Sequence, residues 1–420
     1  MSAPALAAGA ATRAVIPGLL EQHFEDLDFL WELRELRIFA LDWDLEDLAA
    51  HESRVEAHLD ALYLTGPQAL DVARAHLCGN AVFAAAAAAF VLIDTQDPAL
   101  QREVGDALGS APEPALEGLR LALRHCKLEG GLLEPLLGLA TSGEPLRRAA
   151  ACDVLAFQRR APLDGFGALL EAKSSDVRRH GLASAARLGG APTPAQLEAA
   201  LADPDPRLRR QALEAAARTR MPGLVERCRA ALRETGDARI ERIEWLGIVG
   251  ATSDADALLE CANGSNGPLA AAALRALGVL GAASSVSALL ELLDHPLHAL
   301  EAARAVARIT GMRGIGEQLE PDPDDPESAE LRPDAPAARR LWGDPDLSKG
   351  PERLQLGLDV SAPLGAVFSK LPLAVRRDLY FGACARNGQA PVPDLELERR
   401  ASLQALPASV RTLTFARPGR

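Results

Sequence analysis

The sequence predicts an all-α fold, a right-handed α-solenoid of helical-hairpin repeats, and three observations carry that expectation. Alanine is abundant while aromatic residues make up only 4% of the 420 residues, a composition that favours small-faced helices in close contact over a sheet. A pattern of one hydrophobic residue, two arginines and an alanine-rich run recurs as LRRAAACDVLAF from Leu146, VRRHGLASAARLGG from Val177, LRRQALEAAART from Leu208 and VRRDLYFGACARNG from Val375, the first three starting 31 residues apart. Shorter helical stretches lie between them, LLEPLLGLA from Leu132, FGALLEAK from Phe166 and PAQLEAALAD from Pro194. Each unit therefore reads helix, polar turn, helix, the size of one solenoid repeat.

Residues 1–64 differ from the rest. The start, MSAPALAAGAATRAVIPGLL, has no basic segment before its weakly apolar stretch and reads as a loose terminus rather than an export signal. Two amphipathic helices follow, with Phe24, Leu27, Leu30 and Trp31 on one stripe and Leu48, Val55, Leu59 and Leu62 on the next. Thirteen acidic residues stand there against four arginines. That suits an acidic N-terminal cap, because a terminal repeat must turn a polar face to water.

The repeat array is expected over residues 65–312. AVFAAAAAAFVLI from Ala81 is too short for a membrane span and reads as a buried helix, and PALEGLRLALRH from Pro114 as a divergent repeat. RIERIEWLGIVGA from Arg239, PLAAAALRALGVLGA from Pro268 and ALEAARAVARITG from Ala299 keep the spacing without the double arginine. Residues 313–351 form an acidic, proline-rich insertion, non-helical in its first half, with PAARRLW (Pro336 to Trp342) as a short helix begun by its proline. An insertion in a repeat array is either a plain surface loop or a functional element. Residues 352–420 are read as one more repeat-like unit and a tail.

Charge and cysteine usage exclude several classes. A net charge of −13 opposes binding to phosphate backbones, so nucleic acid is not an expected partner. The six scattered cysteines form no CxxC pair, which fits reduced thiols in the cytoplasm rather than a disulfide framework or a zinc site. No catalytic constellation emerges. Asp294, His295 and His298 could offer three ligands, but Pro296 lies among them where a repeat turn is expected, and a capping turn accounts for the segment better. His51 and His58, seven residues apart, read as a solvated helix face. GMRGIG (Gly311 to Gly316) follows a helix, the reverse of a phosphate loop, and reads as a helix stop. NGSNG (Asn263 to Gly267) reads as a turn. No metal or cofactor is called for, and the chain is expected not to be an enzyme.

The arginines are the remaining candidates. A helix from Leu208 turns Leu208, Ala212, Ala215, Ala216 and Thr219 inward, and one from Val177 turns Val177, Gly181, Ser184, Ala185 and Leu188 inward. The first arginine of each pair (Arg147, Arg178, Arg209) then lies beside the neighbouring repeat, bonding turn carboxylates such as Asp176, Asp203 or Asp205. Arg148, Arg179, Arg187, Arg210 and Arg218 point outward and would form a basic strip across neighbouring second helices. That strip is either a solvated face or a groove for an acidic segment of a partner, or of this chain's own Glu320 to Glu330. Trp245 is either an anchor beside Arg210 or core packing, and Trp342 is a further candidate contact.

The repeats resemble HEAT repeats of the short type found in phycobilisome lyases, with Asp-Pro, a hydrophobic residue, arginines, then alanines ending in Leu-Gly; Asp203 to Ala217 and SSDVRRHGLASAARLGG follow this most closely. With RVEAHLDAL (Arg54 to Leu62), the acidic insertion ending in Trp342 and the LPLAVRRDLYFGACARNG stretch, the chain resembles a proteobacterial family of HEAT-like proteins encoded beside type VI secretion effector and adaptor genes. The resemblance implies a protein-binding scaffold acting as adaptor, chaperone or immunity protein, its partner a secreted effector, a toxin or the loading apparatus. The alternative is a HEAT-repeat enzyme or ligand-binding module, lyase-like or metal-dependent.

Overall fold

Prolines and capping acids decide where the helices begin. The computed structural model describes residues 17–160, 166–188, 192–236, 239–312, 316–318, 331–343, 350–361 and 367–386. Within it, Asp97 precedes Pro98 and Asp205 precedes Pro206, and each aspartate accepts the backbone N–H two residues on, at 2.8 and 2.9 Å. Asp-Pro is thus an N-cap followed by a first helical residue that has no N–H to satisfy. The helices assemble into two compact units, one ending at Gln196 and the other beginning at Leu197.

The first unit contains α1 (Pro17–Arg37), α2 (Leu45–Thr65), α3 (Pro67–Leu77), α4 (Val82–Asp94), α5 (Pro98–Leu108), α6 (Glu113–His125), α7 (Leu133–Ser142), α8 (Pro145–Phe157), α9 (Phe166–Leu170) and α10 (Ser175–Leu188). The second helices of the hairpins, α4, α6, α8 and α10, stack on one another in chain order, and α3, α5, α7 and α9 each pair with the helix that follows. Ala85 to Ile93 of α4 are all buried, which is why that stretch is apolar on every side. Its neighbour α6 comes so close that a Cβ on Gly118 would lie 1.9 Å from the Val82 carbonyl oxygen. The expected apolar stripes of α1 and α2 are buried, and Trp31 stacks on Phe90 of α4 with ring centroids 4.4 Å apart. Arg34 is also buried and donates to Glu52 at 2.8 Å, tying α1 to α2. The outer side of α1 is less polar than a cap requires, since Phe29 and Leu36 are exposed.

The chain passes through α11 (Pro194–Leu201) into the second unit, which contains α12 (Pro206–Arg218), α13 (Leu224–Ala230), α14 (Arg239–Val249), α15 (Ala255–Ala262), α16 (Gly267–Leu280), α17 (Val286–Glu291) and α18 (Ala299–Thr310). Here too the second helices α12, α14, α16 and α18 stack in order. Gly247 permits the closest approach, because a Cβ there would lie 2.4 Å from the Ala276 carbonyl oxygen. Gly311 ends α18 in the left-handed conformation, as a helix stop should.

After α18 the chain departs from the repeat. Strands β1 (Gly316–Gln318) and β2 (Leu331–Pro333) pair antiparallel, and α19 (Ala335–Trp342) is capped by the Asp334 side chain. Strands β3 (Leu354–Gln355) and β4 (Leu358–Asp359) form a second hairpin. Its backbone donates from Leu354 to the Gly281 carbonyl at 2.8 Å, from Leu356 to that of Arg308 at 2.6 Å and from Gly357 to that of Ile309 at 2.9 Å, satisfying carbonyls that the ends of α16 and α18 leave open. The stretch from Val375, expected as a further repeat, does not extend the stack. It forms α20 (Leu373–Arg386), which packs across α12 and α14. Residues 1–16, Glu320 to Glu330 and the tail from 387 lie outside the described residues.

Candidate functional site

The paired arginines do divide by position. In the second unit, Arg209 donates to the backbone carbonyls of Asp203 and Pro204 at 2.9 and 2.8 Å and to the Glu241 carboxylate at 2.8 and 3.2 Å. It clamps its own turn and reaches the next second helix. In the first unit, Arg178 donates to the Ala172 and Lys173 carbonyls at 2.7 and 2.8 Å, and Arg147 to the Ala111 carbonyl of the preceding repeat at 3.0 Å. The inter-repeat ladder was expected to use turn carboxylates; between repeats the arginines use the Ala111 carbonyl and the Glu241 carboxylate, and their other acceptors are mostly carbonyls of their own turn. Those oxygens are fixed by the helix start and lie nearer the guanidinium than side chains already committed to capping.

The outward set is dispersed. Arg148, Arg179 and Arg187 lie in the first unit, Arg210 and Arg218 in the second. Arg210 stands 61% exposed, 3.7 Å from Glu244. Arg218 is covered: its guanidinium lies over Tyr380 and Phe381 of α20, 5.5 and 5.2 Å from the ring centroids. Trp245 packs against the same Phe381 at 5.5 Å. Around this aromatic centre Arg377 pairs with Glu214, Asp378 pairs with Arg308, and Arg386 donates to the Gly250 and Ile248 carbonyls at 2.8 and 3.1 Å. The face formed by the second helices of this unit therefore takes a helix, and the helix is the chain's own. Trp342 is buried in α19, which packs on α17.

In the first unit, Arg148 donates to the Ala140 carbonyl at 3.1 Å and lines a recess of about 570 Å³ with Glu113, Glu144, Lys173 and Asp176. Arg179 is half-buried, 3.3 Å from Asp176. Arg187 does not point outward. It is buried against Asp153 of α8 at 2.9 Å, because Asp153 occupies a position of the inward stripe where the repeats from Val177 and Leu208 carry Ser184 and Ala215. Asp153 is fully buried and also meets Arg120 and Arg124 of α6, the latter at 2.9 Å. Glu117 pairs with Arg120, and the Arg124 and Arg187 guanidinia lie over the Phe157 ring. Burial alone would raise both carboxyls, but the arginines outweigh it, holding Asp153 well below the usual range and Glu117 at about 2. Burial, then the Arg120 charge, pushes the neighbouring His180 down to about 3, so it is neutral.

This network was missed at the level of single motifs, although an acid on an otherwise small, apolar stripe was the signal available. Of the other candidate ligands, Asp294, His295 and His298 lie in the turn before α18, as expected, whereas His51 and His58 fall differently. Asp294 pairs with Arg339 of α19, and His295 and His298 stack on each other 4.3 Å apart. His51 is buried and bonds the Leu30 carbonyl at 2.8 Å rather than lying on a solvated face. His58 faces His23 of α1, with Nδ1 atoms 3.0 Å apart, and Asp26 at 3.6 Å. The six cysteines are free thiols, and burial raises Cys152 and Cys228 to about 11 and 12, which makes them poor nucleophiles and ligands. No helix among the described residues is long and apolar enough to cross a membrane.

No curated protein matches the chain. Residues 193–278, from α11 into α16, match the family model of HEAT repeats, so that stretch is HEAT-like, within an all-α array of stacked helical hairpins.

Proposed function

We propose that the chain is a non-enzymatic, cytoplasmic protein-binding scaffold that receives a helix of its partner on the face formed by second helices. The observation that carries this reading is the seat of α20 across α12 and α14. An aromatic pair fills the centre, a guanidinium covers it, and ion pairs flank it, the anatomy of a helix-in-groove interface. In the first unit the corresponding face belongs to α6, α8 and α10, where three arginines converge on one aspartate and Arg179 stays partly exposed. Arg179, with 27% of its side chain exposed, is the charge that face offers an acidic helix. The family resemblance points to a type VI secretion effector or its loading apparatus as partner, with the chain as adaptor, chaperone or immunity protein.

The test is co-expression with the products of adjacent genes, followed by isolation of the complex. Arg179→Glu combined with Arg187→Gln is expected to weaken capture at least tenfold while Arg210→Glu leaves it unchanged, both with wild-type helical content. Capture indifferent to all three changes would sink the reading.

A further inference from the structure

Among the described residues, His23, Asp26 and His58 form a group whose ligand atoms all lie within 4.8 Å of one another. We propose that they bind a divalent transition-metal cation of zinc type at the junction of α1 and α2. His23 and Asp26 are three residues apart on α1, which puts both on one side of that helix. His58 comes from α2, directly across. The two Nδ1 atoms face each other at 3.0 Å and Asp26 Oδ2 lies 3.6 Å from that of His58. On a tetrahedral zinc with bonds of about 2.0 to 2.1 Å, neighbouring ligand atoms stand about 3.3 Å apart. Those two edges thus need shifts of only a few tenths of an ångström, and the third lies within 4.8 Å.

The donor set supports the same cation. Two imidazoles and a carboxylate suit zinc, nickel or copper rather than magnesium or calcium, which prefer oxygen. All three side chains are half-buried, so the helices orient them while the outer side remains open for a water as fourth ligand. The surrounding field favours a cation, because residues 1–64 carry thirteen acids against four arginines. The ion would pin α1 to α2 about three helical turns along α1 from the buried Arg34–Glu52 pair. Without it, one proton shared between the two rings holds them together, and the experiment separates these cases.

Full-length protein stripped with a chelator is titrated with ZnCl₂ against a chromophoric competitor, and in parallel with Co²⁺ read by visible absorption. One equivalent is expected, with d–d bands of a nitrogen and oxygen site and no thiolate charge-transfer band. His23→Ala and His58→Gln should each weaken binding by more than about 100-fold, the most that loss of an outer-shell partner costs, while His76→Ala binds as wild type. Circular dichroism checks that the variants fold. No stoichiometric binding by the wild type, a thiolate band, or full binding retained in the His23→Ala/His58→Gln double variant would each overturn the proposal.

Discussion

Replacing Asp153 by asparagine should destabilise the first unit more than any surface change. The carboxylate is fully buried, with Arg187 and Arg124 at 2.9 Å and Arg120 alongside, and those three side chains are themselves nearly covered. Asparagine keeps the shape but removes the acid that, among the described residues, all three share. Glu117 still serves Arg120, so Arg124 and Arg187, both over the Phe157 ring, lose the charge they share at Asp153. Breaking a buried pair by removing one partner costs about 3 to 5 kcal/mol. For a unit approaching 200 residues, each kcal/mol shifts the melting midpoint by about 2 to 4 °C, so the expected drop is roughly 6 to 20 °C. Urea and thermal unfolding followed by far-ultraviolet circular dichroism measure it. One further change checks the cause: Arg187→Leu in the Asp153→Asn background removes a surplus cation and should recover part of the loss. A loss below about 1 kcal/mol, or no recovery, would show that the arginines reach water and that Asp153 is not their anchor.

Acid should act through the same cluster. His180 is neutral in the fold, with its pKa lowered to about 3 from 6.5, so the unfolded chain binds the extra proton. Its contribution is complete above pH 6.5 and is lost toward pH 3, at a slope of about 1.4 kcal/mol per pH unit; Glu117, lowered to about 2 from 4.5, adds to the loss below pH 4.5. His180→Gln should flatten the upper part of a stability profile, and an unchanged slope between pH 6 and 5, as read by denaturant midpoints, would count against the assignment. Arg209→Ala strands the buried Glu241 and should cost about 3 to 5 kcal/mol, whereas Arg210→Ala at the exposed Glu244 contact should cost less than about 1 kcal/mol; equal midpoints for the two variants would refute the division of the pair. Phe381→Ala empties the space between Arg218 and Trp245 and should cost about 3 to 5 kcal/mol. Rapid proteolysis of the C-terminal segment in that variant, set against a resistant wild type, reads out the loosened helix.

How much was legible in the chain follows from which contacts are local. The hairpin spacing, the Asp-Pro helix starts, the buried alanine run of α4 and the stripes of α1 and α2 depend on helical period and on caps a few residues away, so sequence alone indicated them. The role of Arg209 was nearly legible, since a guanidinium six residues beyond a turn reaches that turn's carbonyls whatever lies further off. Arg187 and Arg218 were not legible, because an outward direction on one helix says nothing of what another element brings to meet it. Asp153, 34 residues before Arg187, and Phe381, 163 residues after Arg218, turn two apparently free cations into partnered ones. The same holds for the His23, Asp26 and His58 group, which exists only once α1 and α2 lie side by side. The sequence by itself determined that this is a stack of helical hairpins with charged edges. Only the tertiary structure decided which charges are spent inside it, because burial and pairing are properties of helices in contact and not of any one helix.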